Sequence, residues 1–199
     1  MLSLCAIAAA AVIHRMVALA YPHGRPARVA ELDSAFAQKP ALTLAHIVPA
    51  LVFILLVPLQ FSPSMRARHL NVHRRIGRTL MILSVVVGLS ALLLIRHPIG
   101  GLLEVSAILF YDGLFLFAMG KAFMHIRRRQ IALHREWVIR GTSVALGVAT
   151  VRPVMGVFFA TSPITGLTPH DFFGTAFWIG FTITYIFAEL WIRYTKLTS

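Results

Sequence analysis

Two histidines close near-copies of one short pattern. His73 ends the stretch Arg66-Ala67-Arg68-His69-Leu70-Asn71-Val72-His73, and His134 ends Arg127-Arg128-Arg129-Gln130-Ile131-Ala132-Leu133-His134, sixty-one residues further on. Each histidine is followed by arginine, Arg74 and Arg135, and each copy precedes a long apolar run. Neutral imidazole is the commonest protein ligand for a metal. Two imidazoles at one height on parallel neighbouring helices can fill both axial positions of a haem iron or hold one ion. The nearby cations Arg74, Arg75, Arg78 and Arg135, with Arg140 beyond them, belong to the starts of apolar helices, where each opposes the helix dipole by about 0.3–1 kcal/mol. An anion held there, such as a lipid phosphate or the propionates of a haem, would offset that cost. The plainer role of the same residues is to anchor helices against anionic lipid, at about 1 kcal/mol per cation.

A second polar set is embedded in apolar sequence: His14, His46, Glu104, Asp112 and Arg152. His46 is followed by Pro49, which has no N–H to give the carbonyl of Ala45, so the backbone is locally opened. A charge at the depth expected for Arg152 costs about 2.5–3.5 kcal/mol even on insertion scales, which calls for a partner. Glu104 is the first expectation and Asp112 the second, with Pro153 marking a kink. Such a pair can be architectural, fixing which helices meet. Alternatively, with His14 and His46, it lines a cavity for a proton, an anion or a polar headgroup. Glu189 is placed to pair with Arg193 four residues on.

The elements that must position these residues follow from composition. Hydrophobic residues make up 58% of the 199 and charged residues 13%, and the mean hydropathy is +0.77, which marks a membrane protein. A spanning helix needs about 20 apolar residues, and six runs qualify, near 2–20, 41–61, 79–95, 100–120, 137–160 and 172–192. The expected fold is all-α, a single integral domain of six transmembrane helices in one bundle. The first run ends in Ala18-Leu19-Ala20, a small-x-small form, but no basic segment precedes it and His14-Arg15 interrupts it, so it reads as a retained helix. The loop at 21–40, with Pro22, Gly24 and Pro26, suits an irregular or short amphipathic piece. A single cysteine, Cys5, excludes an intrachain disulfide or a cysteine-based metal cage.

The formal charge of +12 does not point to nucleic acid, because the basic residues alternate with the spans and cover no soluble face. Thirteen lysines and arginines fall on the side of the two histidine patterns and four on the other. The positive-inside rule therefore puts both patterns, and with six spans both termini, in the cytoplasm, facing anionic lipid. No H-E-x-x-H, G-x-S-x-G, P-loop or G-x-G-x-x-G motif occurs.

His46, Pro58-Leu59-Gln60-Phe61, Arg66, His73-Arg74, Gly77-Arg78, His134-Arg135-x-Trp137-x-x-Arg140 and Arg152 together resemble a bacterial family of predicted membrane proteins classed as domain of unknown function 2306, over roughly residues 40–190. That resemblance implies a bacterial cytoplasmic membrane location and supplies no reaction. More distantly, the chain is similar to six-helix b-type membrane cytochromes, which hold one haem between histidines of helices 3 and 5 and another between helices 2 and 4. By that likeness His73 and His134 match the first pair. The second is incomplete, since His46 has only His97 or His14 as a mate. The likeness implies one haem b and electron transfer. The readings left beside it are a membrane metalloenzyme or small-molecule permease built on His46, Glu104, Asp112 and Arg152, and a structural or lipid-binding subunit without catalysis.

Overall fold

In lipid no water satisfies the backbone, so an apolar chain of this composition crosses as helices that close their own hydrogen bonds. The computed structural model describes residues 1–21, 36–96 and 98–197; the irregular piece expected at 21–40 and His97 thus fall largely or wholly outside the described residues. The described elements are α1 (Leu2–Ala20), α2 (Pro40–Phe61), the one-and-a-half-turn α3 (Pro63–Arg68), α4 (Leu70–Leu94), α5 (Gly101–Arg127), α6 (Ile131–Ala145), α7 (Gly147–Thr165) and α8 (Pro169–Leu197). Taking α6 and α7 as one unit, six of these are long and apolar enough to cross a membrane. The expected all-α six-span fold is therefore what the chain adopts.

The helices run further than the apolar runs do. The third span starts at Leu70 rather than 79, and the fifth at Ile131 rather than 137. An apolar window reports only the hydrocarbon-facing stretch, whereas backbone bonding continues through the basic collars. The fifth span is also interrupted, at Leu146 and not at Pro153, which lies inside α7. At the break the N–H of Ala149 bonds the carbonyl of Leu146 at 2.9 Å, a three-residue closure that tightens the turn. Gly147 follows, and a Cβ there would lie 2.2 Å from the ring of Phe181 on α8, so the two segments meet where a side chain is missing.

Packing closes the spans into a ring. α1 lies on α2 and α7, α2 on α4, α4 on α5, α5 on α6 and α8, and α7 on α8. A close backbone approach joins α7 to α8, where Thr150 Oγ1 donates to the carbonyl of Gly180 at 2.8 Å and a Cβ on Gly180 would stand 2.6 Å from the Val151 nitrogen. Without a hydrophobic driving force between helices, such close contact at small residues is what holds membrane helices together. One buried apolar cluster joins α1, α2 and α4–α7 around Phe53, Val57, Phe115 and Met119. A smaller one, with Val151, Phe172 and Phe173, sits between α7 and α8.

Candidate functional site

The sequence repeat is a repeat of helix starts. In both copies a helix break comes just before the aliphatic pair and the histidine is the fourth residue of the helix that follows. His69 caps the end of α3 with φ −131° and ψ 52°, and the N–H of His73 closes back on its carbonyl at 3.0 Å. In the second copy Arg129 has φ +60°. Around it the N–H of Gln130 bonds the carbonyl of His125 at 2.9 Å, and that of Arg129 bonds Ile126 at 3.1 Å, the paired closure that ends a helix with a left-handed residue. The N–H of His134 then closes on Gln130 at 2.9 Å. His73 and His134 so occupy the same step of α4 and α6.

Both line one cavity of about 630 Å³ at the basic end of the bundle, between α2, α4, α5 and α6. This size falls within the range of cofactor sites. His134 Nδ1 lies 2.8 Å from the carbonyl oxygen of Ala122. A carbonyl only accepts, so Nδ1 carries the proton and Nε2 keeps its lone pair. Orienting a histidine through a backbone carbonyl in this way is how a metal-ligating imidazole is held. His73 Nε2 lies 3.4 Å from the amide nitrogen of Gln60, a weak contact, and its Nδ1 is buried with no hydrogen-bond partner among the described residues. Gly77, one turn beyond His73, also lines the cavity; a Cβ there would come within 3.0 Å of the Gln60 amide. Among the described residues no three or more His, Cys, Asp or Glu gather as a metal cage. An ion held by the two imidazoles would need a ligand that brings donors of its own, as a porphyrin does.

The collar arginines divide. Arg74 and Arg78 line this cavity, joined by Arg127, which the pattern contains but which had not been singled out. Arg135 is exposed and outside it. Arg140 faces elsewhere. Its Nε donates to Glu189 Oε1 at 2.6 Å and a terminal nitrogen donates to Oε2 at 3.1 Å. Glu136 stands 3.5 Å from its other terminal nitrogen and is itself 2.9 Å from Lys196. The ring of Trp137 packs 4.8 Å from the guanidinium. Glu189 is thus paired across helices with Arg140, correcting the local Arg193 pairing, because a two-pronged guanidinium–carboxylate fork outcompetes a pair on a single helix face.

A second cavity, about 250 Å³, lies toward the opposite end and is lined by His46, Glu104, Asp112 and Arg152. Four of the five expected polar residues therefore share it. His14 does not, since it is exposed while its neighbour Arg15 is buried and lines the cavity, with its guanidinium 4.1 Å over the ring of Phe36. Glu104 accepts the N–H of Gly100 at 2.7 Å, and Asp112 Oδ2 is buried with no hydrogen-bond partner among the described residues. His46 Nδ1 is 3.0 Å from Ser90 Oγ and 3.2 Å from the Val87 carbonyl. The Ser90 hydroxyl is itself within reach of the carbonyls of Val86 and Val87, at 2.7 and 2.9 Å, so its proton is taken. Nδ1 is therefore the donor, and the basic Nε2 is left for the cavity side. Phe53 lines both cavities.

Six apolar spans enclosing two cavities, each with an oriented histidine, define a polytopic helical membrane protein. The chain belongs to the family described as predicted membrane protein (DUF2306), whose profile matches residues 43–192. No curated protein and no solved structure matches it.

Proposed function

We propose that this protein is a multi-pass electron carrier of the bacterial cytoplasmic membrane that holds one haem b between His73 and His134. The observation that carries the reading is the shared cavity of about 630 Å³, in which His134 is fixed by the Ala122 carbonyl at 2.8 Å with Nε2 as its free donor atom. A haem held by His73 and His134 would supply reversible one-electron exchange. The protein's own residues do the rest. Ala122 sets the tautomer and the ring angle of His134. Gly77 lets the Gln60 amide approach α4 beside His73. Arg74, Arg78 and Arg127 offer cations at the cavity rim to carboxylates that would otherwise be buried unpaired. Among the described residues the second cavity offers one imidazole, His46, which supports a single haem.

The orientation proposed follows the charge asymmetry, with the basic end and its anionic-lipid contacts in the cytoplasm. In a Cys5→Ser background, Arg128→Cys should react with a membrane-impermeant maleimide only after permeabilisation, and Thr165→Cys in intact cells. The opposite labelling reverses the topology. For the cofactor, protein from haem-replete cells should be red in detergent, with a Soret band and, on reduction, the α band of bis-imidazole iron. A colourless preparation under those conditions rejects the haem assignment.

A further inference from the structure

The second cavity has a chemistry that electron transfer at the basic end does not use. Its walls are mostly apolar, with Phe115, Phe173, Phe177 and Phe181 lining it, and His46, Asp112, Glu104, Arg15 and Arg152 are the charged or titratable side chains among them. The tautomer argument leaves His46 Nε2 as a base without a partner among the described residues. Asp112 is 9% exposed, and its Oδ2 has no hydrogen-bond partner there either. A buried acceptor left unmatched costs about 1–3 kcal/mol, so what completes this cavity must donate hydrogen bonds.

Size and wall chemistry narrow the donor. An apolar cavity of about 150 Å³ takes up benzene, and this one, at about 250 Å³, leaves about 100 Å³ for ring substituents. Aromatic walls stack on a ring, and the unmatched Asp112 oxygen takes a hydrogen-bond donor. We propose that this cavity binds a single-ring phenol, its hydroxyl donating to Asp112 or to His46 Nε2 and its ring lying among the phenylalanines. A free phenol and the head group of a membrane-dissolved hydroquinone share this chemistry. The proposal does not rest on the haem reading, and its test reads binding, with or without pigment in the preparation.

The probes are 4-methylphenol and toluene, alike in shape and differing in the hydroxyl, with thermal unfolding and saturation-transfer NMR on the full chain in nanodiscs. At about 100 times its Kd, 4-methylphenol should raise Tm by a few degrees, and toluene should bind at least tenfold more weakly. Asp112→Leu should cut 4-methylphenol affinity at least tenfold, while Asp112→Asn, which keeps an acceptor, should stay within about threefold of the parent. Because Asp112→Leu can fail to fold, toluene on the unaltered protein is the independent arm. Equal binding of toluene and 4-methylphenol overturns the proposal, as does the absence of any 4-methylphenol effect. Comparing hydroquinone with a hydroquinone carrying one short isoprenoid tail then distinguishes the sources, tighter binding of the tailed form indicating a lipid-borne ligand and equal binding a free one.

Discussion

His134→Ala and His73→Ala should each abolish the Soret absorbance of the purified protein while leaving the six-span fold intact. The expectation follows from how the two rings are held. His134 enters the cavity with its outer nitrogen tied to the Ala122 carbonyl, so replacing it removes a ligand that the fold has already oriented. His73 is held by little besides the amide of Gln60 at 3.4 Å. Loss of an outer partner of a metal ligand costs about 10–100-fold in affinity, and loss of the ligand itself should exceed that. His125→Ala is the control, since His125 bonds Gln130 at 2.6 Å and does not line the cavity. Full pigment in both His73→Ala and His134→Ala would reject the ligand assignment even with a red parent protein.

Arg140→Ala should destabilise the protein by about 2–4 kcal/mol and leave the pigment in place. The fork to Glu189 is mostly enclosed, the two side chains being 16% and 27% exposed. Removing one partner of a buried pair costs about 3–5 kcal/mol, discounted here because Glu189 keeps some access to solvent. The carboxylate left behind is the source of the loss. Replacing both, Arg140→Leu with Glu189→Leu, should therefore recover most of the stability lost in the single variant. Thermal unfolding in detergent measures the first effect and absorbance the second. Loss of pigment in Arg140→Ala at unchanged stability would place the guanidinium back with the histidines.

That contrast shows what a sequence of this kind exposes. The six spans are legible because lipid demands unbroken apolar length, and the shared step of His73 and His134 is legible because the same residue pattern precedes both. Rotation about a helix axis is not. A shift of one residue turns a side chain by 100° on a helix of 3.6 residues per turn, which is the difference between exposed His14 and buried Arg15. Pairs across helices depend on that rotation for both partners, so Arg140–Glu189 was hidden while the local Glu189–Arg193 spacing was visible. Arg152 met the same difficulty: it shares a cavity with both Glu104 and Asp112. Gln60 and Arg127, both on the larger cavity, carry a weak signal in sequence, each lying at the basic end of a span.

Phe53 belongs to the walls of both cavities, and its ring meets Phe115 edge-on at 5.9 Å between centroids. Phe53 is thus a wall the two cavities share among the described residues, so an occupant on one side that pushes the ring reshapes the space on the other. Thermodynamic reciprocity then applies: any factor by which filling the basic-end cavity changes affinity in the distant one must be returned unchanged in the opposite direction. The shared wall would thus give the bundle a means of reporting across its own thickness whether the far compartment is filled, using one aromatic ring and no hinge.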